Sequence, residues 1–440
     1  MSGNYSRRDV LRGGVAATVG LGLGASALGE AQKPMAPGQK LRVGIIGCGG
    51  KGWSGREQAV QAGAEVVAVC DVDLEDRINA QKEHLKANAF DDYREMIAMM
   101  KGKMDAVIIS TPDHHHAPAT VLALHAGMHT YTEKPLCRTI WEARQLAILA
   151  KKKKAITQMG NNSTQSTQMR KVAKLLREGT WGKVKEIHLW TDRAKVYWEQ
   201  GIPRPASKPV PKGLDWDMWV GPRPMRDYAD GYHHFSWRGF WDFGTGALGD
   251  MGCHIFNMPH MALGLDAPLA VQAETSGHNK ESFPNWAHVT YEYGAKGKMD
   301  PFKLHWYDGG KKPPQELAEL FTFGGNGVIV VCEKDTIFGA DESNTRFSLV
   351  SGNPIPDTEV VQSPGHMKEW VEACMAGTQA VSNFPNYSGP LTEAVLLGNL
   401  AIWADGPRLE WDSKNMKVKG STEFDGLIKP DFRPGFSVKV

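Results

Sequence analysis

Leu41-Arg42-Val43-Gly44-Ile45-Ile46-Gly47-Cys48-Gly49-Gly50-Lys51-Gly52 is the stretch whose reading decides the fold. Its first six residues form a short apolar run, the pattern of a strand buried on both faces of a parallel sheet. The G-x-G-x-x-G turn at Gly47, Gly49 and Gly52 follows at once. Such a turn is weak evidence alone, because glycine is common in turns, so its context decides. A helical stretch leads from it to Glu65-Val66-Val67-Ala68-Val69-Cys70-Asp71, a second apolar run that ends on a carboxylate. A turn between strand and helix lets the backbone approach a pyrophosphate at the helix N-terminus, with Gly47, Gly49, Gly50 and Gly52 forming the cradle. Asp71, about twenty residues on, is placed to accept hydrogen bonds from an adenosine ribose. The same carboxylate repels a 2′-phosphate, which favours NAD over NADP.

Working outward, Leu74 to Asn88 reads as a helix. Asp105 to Ser110, His129 to Thr132 and Ala155 to Gln158 read as strands, separated by helices at His116 to Ala126 and Thr139 to Lys153. This alternation predicts an α/β fold, a Rossmann-type doubly wound parallel sheet over residues 41–160. Beyond Gly160 the pattern changes. A helix at Gln165 to Glu178 and a strand at Lys183 to Asp192 precede a long Pro- and Trp-rich insertion. Further strands follow at His288 to Tyr293, Lys303 to Tyr307, Gly327 to Cys332 and Thr336 to Phe338, with late helices at His366 to Ala376 and Leu391 to Trp403. Residues 161–440 are therefore expected to form an α+β substrate domain with a large, mainly antiparallel open sheet.

The chain of 440 residues is long enough for two folded domains. Its 51 Lys and Arg against 49 Asp and Glu leave no basic stripe for nucleic acid. Six cysteines lack C-x-x-C or metal-like spacing and read as buried thiols. At the N-terminus, Ser6-Arg7-Arg8-Asp9-Val10-Leu11-Arg12 and the uncharged stretch from Gly13 to Leu28 resemble a twin-arginine export signal over residues 1–31. A polar linker at 32–40 follows. The export machinery would thus be a partner, the destination periplasmic, and the nucleotide loaded and tightly held before export.

Further on come Ser110-Thr111-Pro112-Asp113 with His116, Tyr131-Thr132-Glu133-Lys134-Pro135, and Gly246-Ala247-Leu248-Gly249-Asp250-Met251-Gly252-Cys253-His254. Together with the glycine turn, this order resembles the Gfo/Idh/MocA family of NAD(P)-dependent enzymes, which includes glucose-fructose oxidoreductase and inositol dehydrogenase. The resemblance runs from about Leu41 to the end of the chain. It implies that Thr111, Pro112, His116, Glu133 and Lys134 line the cofactor site, that Lys134 sits beside nicotinamide and substrate, and that His254 is the base. It also implies a homo-oligomer, dimer or tetramer. From spacing alone, Asp250 and His254 share one helix face. Oxidising a secondary alcohol needs a base for the hydroxyl proton, which histidine suits. By the resemblance His254 is that base, Lys134 stabilises the developing alkoxide and Asp250 orients substrate or imidazole. The plain alternative is a surface pair for Asp250 and His254 and an ordinary salt-bridged Lys134.

The substrate expectation is a ring hydroxyl of a sugar, glycoside or polyol. Nine of fourteen tryptophans lie between Trp181 and Trp306. Core packing is the plain reading for most of them, while Trp237 and Trp241, just before the Asp250 helix, are candidates for a sugar-facing wall. Asn162 is a candidate hydrogen-bonding partner. His114, His115, His116, His233 and His234 enrich the chain in histidine, but without C-x-x-C or H-E-x-x-H no metal is assigned; His115 reads as loop surface. The alternative function is an NAD-dependent glycoside hydrolase acting through transient oxidation and elimination. That branch places a tyrosine where this chain has Asp250, which counts against it.

Overall fold

The computed structural model describes residues 34–297, 299–318 and 320–440, so the expected export signal and the start of the expected linker lie outside the described residues. Strands are numbered β1 to β15, and helices of seven residues or more α1 to α10.

The first sheet contains β1 (Arg42–Ile46), β2 (Glu65–Cys70), β3 (Asn88–Phe90), β4 (Ala106–Ile109), β5 (His129–Thr132) and β6 (Thr157–Met159). Its six strands run parallel in the order β3-β2-β1-β4-β5-β6. This is the doubly wound order in which ligands lie at the carboxyl ends, where the strand order reverses. Register brings those ends together: Ile46 pairs with Cys70 on one side and with Ile109 on the other. Gly47, Asp71 and Ser110 are therefore neighbours. Helices α1 (Gly50–Gln61), α2 (Leu74–Glu83), α3 (Tyr93–Met99), α4 (Asp113–His125) and α5 (Ile140–Lys152) make the crossovers. Helix α5 starts on a capping box in which the Thr139 hydroxyl and the Glu142 carboxylate each take a backbone N–H.

The expected helix over Leu74 to Asn88 ends at Glu83. Asn88 to Phe90 instead pair with Ala68 to Cys70 as the sheet's edge strand. A run of three residues carries too little periodicity to outweigh the helical pattern before it.

After α6 (Thr167–Glu178) the chain enters a nine-stranded sheet ordered β13-β12-β11-β7-β10-β9-β8-β14-β15. Its strands are β7 (Val184–Thr191), β8 (Ala270–Thr275), β9 (Ala287–Tyr293), β10 (Phe302–Tyr307), β11 (Asn326–Cys332), β12 (Thr336–Gly339), β13 (Phe347–Leu349), β14 (Leu409–Asp412) and β15 (Lys417–Val418). All its pairs are antiparallel except β7 with β10. β9 buries every second side chain, as a sheet with one covered face requires.

Helices α7 (Gly246–Ile255), α8 (Asn257–Leu263), α9 (His366–Ala376) and α10 (Gly389–Ala404) complete the fold. α10 is apolar almost all round and buried along nearly its whole length, between α5, α7 and the second sheet. One hydrophobic core thus joins α5 and α6 to the inner face of that sheet, and it seats α7 against the first domain. All six cysteines are buried and free. Among the described residues, no helix is long and apolar enough to cross a membrane.

Candidate active site

The glycine turn is held by contact rather than by composition. Gly47 has φ +84°, and a Cβ there would meet the Ser110 carbonyl; a Cβ on Gly52 would overlap the Gly47 carbonyl oxygen. The turn can close only with glycine at both places. Gly50 has φ +45° and open space where a side chain would stand, while the equivalent space at Gly49 is taken by the Asp76 carboxylate. Gly49 caps α1 without a side-chain hydrogen bond, and the first turn of the helix carries no acid but has Lys51. A cation there opposes the helix dipole unless an anion is to be bound. Beside the turn, the hydroxyls of Ser110 and Thr111 are buried without a hydrogen-bond partner. Uncapped N–H groups, a lysine with no acid in its own helical turn and orphaned hydroxyls around an open glycine form a site that a dinucleotide pyrophosphate fits.

Asp71 is engaged in the turn itself. Its carboxylate accepts from the backbone N–H of Cys48 at 2.6 Å and of Asp73 at 2.9 Å. Burial nevertheless pushes its pKa up to about 6. A ribose diol donates best to the ionised form, so protonation of the free protein competes with nucleotide binding. The expected result is an NAD affinity that falls by about tenfold per pH unit below about pH 6. Fluorescence titration of stripped protein measures it, with Asp71→Asn as control; a flat profile in the parent protein, or the same slope in the variant, removes Asp71 from the binding site.

Over this end of the cleft lies the long insertion. Asp215 N–H donates to the Val72 carbonyl, Leu74 N–H to the Gly213 carbonyl, and His233 Nε2 lies 3.1 Å from Asp73 Oδ2. The adenosine end of the turn is thereby covered.

At the other end, the strand-end loop after β5 presents Glu133 and Lys134. Glu133 faces Lys51 at 3.7 Å. Lys134 Nζ donates to Asp250 Oδ1 at 2.5 Å and to the Asp250 carbonyl at 3.0 Å. Arg238, unmarked in the sequence reading, brings its Nε to 3.2 Å from the same Oδ1. Its Nη1 also donates to both oxygens of Asp113, which is fully buried and accepts from the Thr245 hydroxyl at 2.5 Å. A charged chain therefore runs Lys134, Asp250, Arg238, Asp113. Burial pushes the Asp250 carboxyl up, but Lys134 and Arg238 override it and hold it well below the usual carboxylate range.

His254 lies one helical turn beyond Asp250 on α7. Among the described residues no hydrogen bond or ion pair engages its imidazole, so Asp250 anchors Lys134 and Arg238 and does not orient the ring. Burial, followed by the charge of Lys134, pulls the imidazole down to about 3. It is neutral across ordinary pH and offers a lone pair.

Other expectations shift. His116 does not line the cleft: its two ring nitrogens lie 2.8 Å from the Thr111 carbonyl and 2.7 Å from the Pro135 carbonyl, joining two strand-end loops. His115 is no surface residue but is buried in α4 against the Trp219 carbonyl. Pro112 caps α4. Asn162 keeps a buried, unpartnered amide oxygen at the end of β6, available to a ligand. Trp237 and Trp241 do not wall the site formed by Lys134, Asp250 and His254. Trp237 donates to the His234 carbonyl within an aromatic cluster. Trp241 stacks on Phe283, donates to the Ser282 carbonyl, and lines a cavity to which Lys134, Asp250 and His254 contribute nothing. Asp73, His233 and His234 also bring ligand atoms within 4.8 Å of one another, a grouping the sequence spacing did not show.

Residues 41–161 match the family model described as the NAD-binding Rossmann fold of an oxidoreductase family, and residues 165–299 match its C-terminal alpha/beta domain. The chain belongs to the Gfo/Idh/MocA oxidoreductase family. Among curated relatives, glycosyl hydrolase family 109 protein 1 of Shewanella sp. (strain MR-4) is 30% identical over 235 residues, 44% of this chain and 51% of that protein. The chain thus spans about half the length of the curated relatives it matches. Two solved structures share the fold at 16% identity. The WlbA dehydrogenase from Bordetella pertussis, in complex with NADH and UDP-GlcNAcA, has a TM-score of 0.59, with 85% of this chain and 99% of that one covered. The aldose-aldose oxidoreductase from Caulobacter crescentus, complexed with glycerol, has a TM-score of 0.58, with 85% and 100% covered.

Proposed function

We propose that this Gfo/Idh/MocA protein oxidises a ring hydroxyl of a sugar, glycoside or polyol with NAD as hydride acceptor. The observation that carries this reading is Lys134 fixed against Asp250 with the unengaged, neutral His254 imidazole one turn away. A nicotinamide bound beside Lys134 would supply the hydride acceptor. His254 takes the hydroxyl proton as the carbon loses hydride. Because the imidazolium is disfavoured where it stands, the proton is released to solvent, to which the partly exposed His254 is open. Lys134 stabilises the oxygen as negative charge develops, and Asp250 and Arg238 hold the ammonium so that no reorganisation is needed at that moment. Asp71 and the acidic surroundings of the turn support NAD over NADP. The insertion folded over Val72 to Leu74 supports a nucleotide that stays bound and is reoxidised in place, as in an exchange between two sugars.

The second reading, supported by the names of the curated relatives, is a glycosidase using the same first step. Oxidation acidifies the neighbouring C–H, a base removes that proton, and the glycosidic bond leaves by elimination before water adds and the ketone is reduced. We also propose export through the twin-arginine route, from the arginine pair at Arg7 and Arg8. N-terminal sequencing of the periplasmic protein should find cleavage after Ala27 or Ala31; retention in the cytoplasm removes this part.

The test of function is to denature the purified protein, assay the supernatant for nicotinamide nucleotide, and screen free sugars and aryl glycosides. Substrate-dependent NADH or paired sugar products are expected. Aglycone release without net NADH selects the glycosidase. No nucleotide and no turnover overturn both.

A further inference from the structure

We propose that the protein has a second ligand site, for a sugar bearing a carboxylate or phosphate, in the arginine-rich cavity between the Arg138 loop, the insertion and the end of α10. The cavity holds about 170 Å³ and is lined by Arg138, Arg204, Arg223, Arg226 and Lys280 against only Asp242 and Glu281. Five cations thus face two carboxylates. Even if Lys280 is assigned to Asp405 and Glu423, which both act on it, four guanidinium groups share two acids.

The pairing is visibly incomplete. Glu281 takes Arg204 at 3.0 Å and Arg226 at 2.9 Å, and Asp242 takes Arg223 at 2.9 Å. Among the described residues Arg138 has no ion pair, and its Nη1 donates to the Trp241 carbonyl at 3.0 Å. Glu142 behind it accepts from the backbone N–H groups of Arg138 and Thr139. Burial and the adjacent Arg223 pull Arg138 down to about 10, the mark of a cation short of counter-charge. The Nε of Arg223 is buried without a hydrogen bond, whereas Arg226 is taken up by Glu281 through both of its terminal nitrogens. Buried guanidinium donors left over in a roomy cavity are what a bidentate oxyanion satisfies.

Trp241 and Trp403 supply the apolar part. Their indoles meet edge to face at 5.0 Å, and both line the cavity. A saturated ring with axial C–H groups covers indole well, while its charged substituent reaches the arginines. The volume suits one ring and excludes an oligosaccharide. The site shares no residue with the Lys134, Asp250 and His254 group and stands whichever function that group performs.

Titration calorimetry of the full protein at low salt, with glucuronate, glucose 6-phosphate and glucose, tests it. The two anionic sugars should bind and glucose should bind at least about tenfold more weakly. The Arg204→Gln/Arg223→Gln variant should weaken anion binding by about tenfold or more, while Lys134→Ala leaves it unchanged. Arg204 is 60% exposed in its side chain, so the fold tolerates its loss. As a check free of substitution, glucuronate should slow phenylglyoxal labelling of Arg138 and Arg223, read by mass spectrometry. No anion binding, equal binding in the arginine variant, absent protection, or loss of binding in Lys134→Ala alone overturns the proposal.

Discussion

Lys134→Ala is expected to cut kcat by about a thousandfold while leaving the nucleotide content of the purified protein unchanged. The fold should survive, because Asp250 keeps Arg238 at 3.2 Å and is not left as a lone buried charge. What disappears is the cation aimed at the oxygen where negative charge develops. The change also has a sign for His254. Lys134 is, after burial, the main influence holding that imidazole down, so its removal raises the pKa. Activity needs the neutral ring, and the acidic limb of the residual pH profile should therefore move to higher pH. His254→Ala should lose turnover to a similar degree with nucleotide still bound. Near-normal kcat in either variant removes the residue from the chemistry. Loss of nucleotide in Lys134→Ala would make it a cofactor-binding residue first.

How far the site could be read beforehand depended on whether each residue's partner lay within local spacing. The turn from Gly47 to Gly52 announced itself because two glycines must pack against Gly47 and Ser110 carbonyls, a constraint that writes itself directly into sequence. Asp250 and His254 were legible because a helix repeats every 3.6 residues. Arg238 was not, since its meaning comes from Asp113, 125 positions away, and only the tertiary fold joins them. Lys51 carried a signal that went unused: a lysine with no acid in the first helical turn. His116 and Trp241 were misplaced for one shared reason. Composition shows that a histidine or a tryptophan is present, but not whether carbonyls already occupy its ring nitrogens or which side of α7 it faces. In the second domain β7, β9 and β10 were legible as apolar runs set between turn residues. β14 and β15 were too short for that; α10 returns the chain to the sheet edge, where β14 pairs with β8 and β15 with β14.

Arg238→Leu is expected to destabilise the protein by about 3–5 kcal/mol, the cost of stranding a buried charge. Asp113 is fully buried, and among the described residues Arg238 is its only ion-pair partner; without it the carboxylate keeps the Thr245 hydroxyl. Urea denaturation of the parent and the variant measures this. Arg238→Leu/Asp113→Asn should recover much of the loss, since a neutral amide needs no counter-charge, whereas a purely steric defect would not respond to the second change. Equal stability of the parent and Arg238→Leu, or a double variant no better than the single, would show that the charged chain does not join the domains as drawn. Catalysis gives an independent reading. Asp250 would retain Lys134 alone, free to swing, so kcat should fall by roughly tenfold while the Lys134 cation remains, far less than when Lys134 itself is lost.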